Sequence, residues 1–306
     1  MTAPSIARQA TPANTDGKAS AAQFHGTVLM VVSTVFFACS DVTTKALAGQ
    51  LPAVEVAWLR YVTFVLMAVP LLLASGGGSA LRSHRPSLQI LRGLGMVGSA
   101  LLFTAGLPYL PIAEASAIYF ISPILIMALS IPLLGEVVGW RRWSAAFVGL
   151  VGMLFVIRPG ASTFEAAAIL PLLGATSWAT AAVVTRKMSG DSAVTTLAYS
   201  ALVGFVLLSL LLPFVWVTPS LFELGLGLAM GIFSSVGHWL VILAYRQTHA
   251  SAIAPFSYIQ LFWAGTLGYL VFGSVPDSWT IIGACIIALS GLYTAYRERV
   301  RAVSKG

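Results

Sequence analysis

Charged side chains are scarce in this sequence: Asp, Glu, Lys and Arg together make up 9% of its 306 residues. Soluble domains carry about 25% charged residues, whereas 58% of this chain is hydrophobic and its mean hydropathy is +0.89. This composition excludes a water-soluble globule. The formal net charge of +7 does not indicate nucleic-acid binding, because the basic residues lie at the ends of apolar runs and not along one face.

Cysteine and the common catalytic motifs are equally scarce. The two cysteines, Cys39 and Cys285, lie inside apolar runs, so the sequence has neither a disulfide framework nor a CxxC metal pair. It contains no Walker A motif, no HExxH and no Gly-x-Ser-x-Gly. The segment from Gly93 to Gly98 fits G-x-G-x-x-G but lies within an apolar helix pattern, where close helix packing explains it better. We therefore predict a protein that is not an enzyme and holds no cofactor or metal.

Long apolar runs dominate the chain. A transmembrane helix needs about 20 apolar residues, and the sequence has ten such candidate runs, joined by short loops that leave no room for a soluble domain. Residues 1–24 contain few large apolar side chains, which predicts a disordered cytoplasmic tail, and residues 299–306 form a basic cytoplasmic tail. The ten predicted spans are 26–48, 54–74, 89–108, 111–132, 144–158, 166–186, 193–215, 221–245, 250–272 and 279–297.

The positions of Lys and Arg predict the orientation of these spans. With the N-terminus inside, only Lys45, Arg60 and Arg158 of the 17 basic residues fall on the outer side. Positive residues concentrate on the cytoplasmic side of membrane proteins. We therefore predict an inner-membrane protein with both termini in the cytoplasm, which requires the even number of spans.

The chain also contains an internal repeat. The tetrapeptide at Ala115–Ile118 opens the fourth span and recurs at Ala250–Ile253, where it opens the ninth. Gly135 ends the fourth span and Gly273 ends the ninth. Two copies of five spans must point in opposite directions because five is odd. Inverted repeats are typical of secondary transporters, which bind cargo near the midplane between the halves.

Residues 111–160 carry a family resemblance. An apolar helix is followed by Gly135-Glu136, a basic loop at Trp140–Trp143 and a Gly-rich helix. With the repeat, this pattern resembles the EamA family of the drug/metabolite transporter superfamily over about residues 26–297, and most closely its riboflavin and S-adenosylmethionine transporter branch. The second repeat departs from the pattern at Ser274, the counterpart of Glu136. The resemblance implies an all-α polytopic membrane protein of ten transmembrane helices, in two inverted five-helix repeats at 25–160 and 161–298.

We accordingly predict a secondary active transporter that moves a small organic metabolite by alternating access. Its predicted partners are the small-molecule substrate and the lipid bilayer, and not nucleic acid, and it is either a monomer or a homodimer. The preferred hypothesis is export of an amino acid or amino-acid-derived compound, metallophore-like metabolites included, with proton coupling. The alternative is uptake of a vitamin or cofactor such as riboflavin or S-adenosylmethionine. A membrane-embedded enzyme or a channel is the distant alternative.

Asp41 is the sharpest candidate for the chemistry, because an ionised carboxylate deep in a membrane span costs about 2.5–3.5 kcal/mol. Lys45 lies one helical turn further on, where it can pair with Asp41. The pair is either a gate or proton-coupling site, joined by Glu114 at the outer start of span four, or a structural ion pair. Arg60, near the outer end of span two, either joins this outer-side charge cluster or snorkels to the outer interface, and snorkelling is the preferred interpretation.

Other polar and aromatic side chains fall near the middles of the spans. An aromatic and amide surface at that depth suits a neutral or zwitterionic solute, although helix packing explains any single one of these residues as well. The predicted cavity residues, besides Asp41 and Lys45, are Phe37, Tyr119, Ser122, Trp178, His238, Trp239, Phe256, Gln260 and Trp263.

Overall fold

The computed structural model describes residues 15–135, 140–157, 166–188, 190–247 and 254–303. Within these ranges the chain forms a bundle of eleven α-helices. The first half contains α1 (Thr15–Ala48), α2 (Ala53–Ala74), α3 (Pro86–Gly106), α4 (Ile112–Tyr119), α5 (Ser122–Leu134) and α6 (Trp140–Ile157). The second half contains α7 (Ile169–Lys187), α8 (Ala193–Leu211), α9 (Leu221–Gln247), α10 (Ile259–Phe272) and α11 (Ser278–Val303).

These helices account for all ten predicted spans. In the described part of the chain, seven stretches are long and apolar enough to cross a membrane, and three shorter apolar helices match the remaining spans. The fourth span is divided between α4 and α5. Pro123 has no N–H to donate to the carbonyl of Tyr119. At the break the chain makes a tighter, 3₁₀-type turn, in which the Ile121 N–H donates to the Ile118 carbonyl three residues earlier, at 3.2 Å. The predicted all-α polytopic fold is confirmed.

The ends of the chain differ from the prediction. α1 begins at Thr15, so residues 15–24 of the predicted disordered tail are helical, and α11 continues to Val303 through most of the predicted basic tail. Alanine, lysine and glutamine favour helix, which allows α1 to extend beyond its apolar part. Residues 1–14, the boundary at 160, and the predicted features Glu136, Arg158 and Ala250–Ile253 lie outside the described residues.

The helix pairs that pack most extensively correspond to each other when the two halves are exchanged. α1 packs along α9, and the corresponding helices of the other half, α3 and α7, pack in the same way. α5 against α7 corresponds to α1 against α10, while α2 with α8 and α6 with α11 pair a helix with its own counterpart. Gly135 and Gly273, which end α5 and α10, both have left-handed φ angles, of 69° and 66°. The halves are therefore related by a pseudo-two-fold axis, with inverted topology.

Glycines allow several helices to approach closely. A Cβ atom on Gly95 of α3 would lie 3.0 Å from the carbonyl oxygen of Ser177 in α7, and one on Gly283 of α11 would lie 2.5 Å from that of Gly152 in α6. Helices in a bilayer associate through close packing because lipid offers no hydrophobic driving force. The segment from Gly93 to Gly98 is thus a packing surface, as its apolar context predicts.

A hydrogen-bonded loop contact joins the halves at one end of the bundle. Asp191, in the loop between α7 and α8, accepts bonds from the Ser83 hydroxyl, from the His84 N–H at 2.9 Å and from the Gln89 amide at 2.8 Å. Burial raises the pKa of Asp191, but these hydrogen bonds outweigh burial and hold the pKa below its ordinary value. The loop is thereby tied to the start of α3.

A related contact joins the halves at the opposite end. Glu55, fully buried in the first turn of α2, accepts a bond at 3.1 Å from the N–H of Val217 in the segment between α8 and α9. Here too a carboxylate of one half holds the backbone of a loop from the other half. Both ends of the bundle therefore carry a polar contact between the repeats.

Candidate functional site

Asp41 bridges the two halves of the bundle. It lies within the first membrane span, Phe24–Ala48, and its Oδ2 accepts a hydrogen bond at 2.8 Å from Nε2 of Gln260 in α10. Two polar side chains from different repeats thus meet inside the bundle, where transporters of this architecture bind cargo. The structure brings together two of the predicted cavity residues that are 219 positions apart.

Lys45 does not share these contacts. Its Nζ donates to the carbonyl oxygens of Leu107 at 3.1 Å and Leu110 at 2.6 Å, just beyond the end of α3. The carbonyls at a helix end have no partner within the helix and carry partial negative charge, so they attract an ammonium group. Glu114 is the nearby charge that acts most on Lys45. Asp41 and Lys45 therefore have different anchors, and a gating role for Lys45 and Glu114 stays a prediction.

Arg60 corrects the prediction that it snorkels to the outer interface. Its Nη2 donates to Oγ1 of Thr44 at 2.5 Å, and its charge acts on Asp41 from inside the bundle. Thr44 lies three residues after Asp41 and so on the same face of α1. The inward guanidinium places a positive charge near the Asp41 carboxylate, which lowers the cost of holding that carboxylate within a span.

His238 lies at the centre of an aromatic group formed by four helices. Its ring centroid is 4.9 Å from that of Phe37, 5.8 Å from Phe64 and 6.2 Å from Trp178. The Nδ1–H donates to the carbonyl oxygen of Ser234 at 2.8 Å, which fixes the ring within α9. Three of these residues are predicted cavity residues, and Phe64 joins them.

The break between α4 and α5 contributes further polar groups. The hydroxyls of Tyr119 and Ser99 are hydrogen-bonded at 2.7 Å, and the Tyr119 ring packs 5.3 Å from that of Phe103. Ser122, the first residue of α5, is buried. The two predicted residues of span four thus flank the break.

The remaining predicted residues have mostly apolar surroundings. Trp239 packs against the cluster that contains Ala57, and Phe256 packs against the cluster of Met30 and Ala244. These contacts favour the alternative in which Trp239 and Phe256 serve helix packing. Trp263 is half-buried, and its Nε1 is buried without a hydrogen-bond partner among the described residues.

Arg92 is a half-buried charge that the count of basic residues predicts on the cytoplasmic side. It lies two turns into α3, where Nε donates to Thr185 Oγ1 at 2.7 Å and Nη1 to the Thr196 carbonyl at 3.3 Å and to the Ser200 hydroxyl. Its position inside the predicted span 89–108 was the one sequence feature that indicated an inward orientation. Its three acceptors belong to α7 and α8, so it fastens the first half to the second.

Four of these polar residues, Asp41, Arg60, Tyr119 and His238, are half-buried, so each keeps part of its surface accessible. They come from α1, α2, α4 and α9. Together they offer a carboxylate, a guanidinium, a phenol and an imidazole beside aromatic rings, groups suited to a polar organic molecule with an apolar or aromatic body.

Ten apolar helical stretches in two pseudo-symmetric halves, with polar side chains of both halves in contact inside the spans, define a polytopic membrane protein of the transporter class. The sequence model of the EamA-like transporter family matches residues 24–158 and 166–296, one match in each half. The chain belongs to this family, and the predicted resemblance is confirmed.

Named relatives differ in cargo and direction. The chain is 32% identical to an S-adenosylmethionine uptake transporter of Rickettsia bellii, over 90% of this chain and 94% of the relative. It is 28% identical to a riboflavin transporter of Rhizobium johnstonii, over 90% and 92%. It is 27% identical to the pseudopaline exporter CntI of Pseudomonas aeruginosa, over 87% and 94%. A solved structure at 20% identity shares the fold, with a TM-score of 0.66 over 88% of this chain and 96% of its own.

Proposed function

We propose that this protein is a secondary active carrier of the inner membrane that exports an amino acid or an amino-acid-derived compound. The observation that carries the proposal is the contact of Asp41 with Gln260 between the halves, beside Arg60. Opposite charges close together suit a zwitterion, and the aromatic group around His238 suits an apolar or aromatic body. Relatives at 27–32% identity are named for three different organic metabolites.

In this proposal, transport proceeds by rocking one half against the other around the pseudo-two-fold axis. The loop contacts of Asp191 and Glu55 lie at opposite ends of the bundle, and each joins the two halves. Opening one end requires its contact to separate while the other holds. The break between α4 and α5 supplies a point at which span four can bend. A proton or substrate gradient provides the driving force, with Asp41 as the coupling group.

Uptake of a cofactor is the second candidate. It is supported by the relative named an S-adenosylmethionine uptake transporter, at 32% identity, and the relative named a riboflavin transporter also points to a cofactor as cargo. The cavity is compatible with either direction, because alternating access is reversible. An enzyme or a channel has no such support from the relatives.

Two measurements test this function. Purified protein in proteoliposomes loaded with unlabelled S-adenosylmethionine or tryptophan should show transient accumulation of the same labelled compound from outside, because a carrier exchanges substrate. A channel or an enzyme gives no such counterflow. Metabolomics of cytosol and medium, with and without the gene, then assigns cargo and direction. Loss of an exporter raises its cargo inside the cell and depletes it outside, and loss of an uptake carrier does the reverse.

Gln260→Ala is expected to raise the KM for counterflow about tenfold with little change in protein yield. Removing the amide takes away a hydrogen bond to a charged group, worth about 1.5–3 kcal/mol. Gln50→Ala is the matched control, because Gln50 is exposed and bonds only weakly to the Ala46 carbonyl at 3.4 Å. Trp263→Ala should likewise change KM. If either cavity variant loses folded protein while KM in the remainder is unchanged, the residue serves packing.

The predicted orientation is testable by cysteine labelling. In a background without Cys39 and Cys285, a cysteine in place of Gly77 or Gly78 should resist a membrane-impermeant maleimide in intact cells and react after permeabilisation. Gly78 is the better position, because Gly77 has a φ of 60°, which favours glycine. Gly49→Cys, in the loop after α1, should react in intact cells. A new side chain at Gly49 or at Gly78 would meet no other atom within 4 Å. The reverse labelling pattern would place the N-terminus outside.

A further inference from the structure

Arg60 has a hydrogen-bond donor that the protein does not use. Its Nη2 is bound to Thr44, but its Nε is buried and has no hydrogen-bond partner among the described residues. A guanidinium group has five N–H donors in a planar fork that matches a carboxylate. Leaving one of them buried and unpaired is costly, so such a donor points to a ligand that supplies the acceptor.

The acid beside Arg60 is anchored separately. Asp41 is held by Gln260, whereas Arg60 is held by Thr44, one turn along the same helix from Asp41. Residues three apart on a helix have Cβ atoms about 5–6 Å apart. A carboxylate offers lone pairs for about four hydrogen bonds, so the bond from Gln260 leaves Asp41 able to accept from a ligand. Arg60 and Asp41 are thus held at neighbouring positions along α1, Arg60 by Thr44 and Asp41 by Gln260, where they can receive the carboxylate and the ammonium of one amino acid.

The other deep arginine shows what a structural role looks like. Arg92 donates to acceptors at Thr185, Thr196 and Ser200. Thr185 occupies the place in the second repeat that Thr44 occupies in the first, since each directly precedes a basic residue at the end of its span. The two arginines therefore bind equivalent threonines. Arg92 is engaged through Nε as well as Nη1, whereas Nε of Arg60 has no partner in the part of the chain that the structure describes.

We propose that Arg60 is the specificity-determining residue that receives the carboxylate of the cargo, while Asp41 receives the neighbouring cationic group, so that the carrier selects α-amino acids over the amines that lack the carboxylate. This inference rests on the proposed function, because it concerns the cargo of the same cavity. Gln260 positions Asp41, and Thr44 positions Arg60. The aromatic group around His238 accommodates the rest of the molecule and sets no requirement on its charge.

The test compares each amino acid with its own decarboxylated amine. Proteoliposomes are assayed for counterflow with two pairs of probes: tryptophan with tryptamine, and S-adenosylmethionine with decarboxylated S-adenosylmethionine. Wild-type protein should prefer the amino acid of the pair that it transports by about tenfold to a hundredfold, as expected for a charge-assisted bond. Arg60→Gln should bring this ratio close to one by losing the amino acid, while counterflow of the amine shows that the variant is folded.

Two further variants make the result specific. Arg60→Lys keeps the positive charge but lacks the planar fork, so it should recover only part of the preference. Arg92→Gln should reduce transport of both members of a pair together, because it weakens packing and not recognition. Equal transport of amino acid and amine by wild-type protein overturns the inference and leaves the carrier function intact, as does an unchanged ratio in Arg60→Gln. Absence of counterflow for all four probes overturns the inference together with the proposed amino-acid cargo.

Discussion

Asp41→Asn is expected to abolish uphill transport and to preserve exchange at saturating cargo. Asparagine has nearly the same shape, and its amide oxygen can still accept the bond that Gln260 donates to Asp41 at 2.8 Å. It cannot take up and release a proton. A pH gradient of one unit supplies about 1.4 kcal/mol per proton, enough for about tenfold accumulation. The variant should lose this accumulation and equilibrate, with a higher KM because the negative charge is gone.

The measurement uses one preparation of proteoliposomes for both readouts. Accumulation is followed under an imposed pH gradient, and counterflow is followed without one. Asp41→Glu retains a titratable group and should keep part of the accumulation. Asp277→Asn is the matched control, because Asp277 caps the N–H of Thr280 at 2.8 Å at the start of α11, and asparagine caps a helix equally well. Unchanged accumulation in Asp41→Asn would show that Asp41 is not the coupling group.

The spans were predictable because hydropathy is a property of each segment by itself. A run such as 54–74 is apolar whatever surrounds it, and the helix Ala53–Ala74 follows it closely. The inverted repeat was also accessible, since the glycines at 135 and 273 mark equivalent helix ends in the sequence. Both features follow from local composition and from counting spans.

The partners of the charged residues were not predictable in the same way. Sequence spacing pairs Asp41 with Lys45, because only neighbours within one helix can be read from it. The structure gives Asp41 a partner in the other repeat, Gln260, and turns Lys45 toward carbonyls beyond α3. Which side chains meet depends on how the halves pack.

The inward orientation of Arg60 and Arg92 was also not predictable from the sequence. Charge counting treats an arginine near a span end as a surface residue, which is right for most of them. Arg60 turns inward to Thr44, and Arg92 turns inward to Thr185. Each finds a threonine in a neighbouring helix, so the energy that holds the guanidinium inside comes from a tertiary contact that the linear pattern does not contain.

Gly283→Ala is expected to cause a large loss of folded protein. A Cβ atom there would lie 2.5 Å from the carbonyl oxygen of Gly152 and 2.5 Å from Cγ2 of Val156. The carbonyl belongs to the backbone of α6 and cannot move aside without shifting that helix. Overpacking of this kind costs about 1–3 kcal/mol. Separating α6 from α11 should destabilise the whole bundle, because these two helices are counterparts that pack on each other across the pseudo-two-fold axis.

The same substitution at a second glycine separates crowding from helix propensity. Gly225→Ala in α9 meets nothing within 4 Å, so it should be neutral or stabilising, because alanine is a better helix former than glycine by about 1 kcal/mol. Gly152→Ala should behave like Gly283→Ala, since its Cβ would lie 2.9 Å from the Gly283 carbonyl. Yield and thermal stability of monodisperse detergent-solubilised protein give the comparison. If Gly283→Ala were as stable as Gly225→Ala, the helices α6 and α11 would not cross at their glycines.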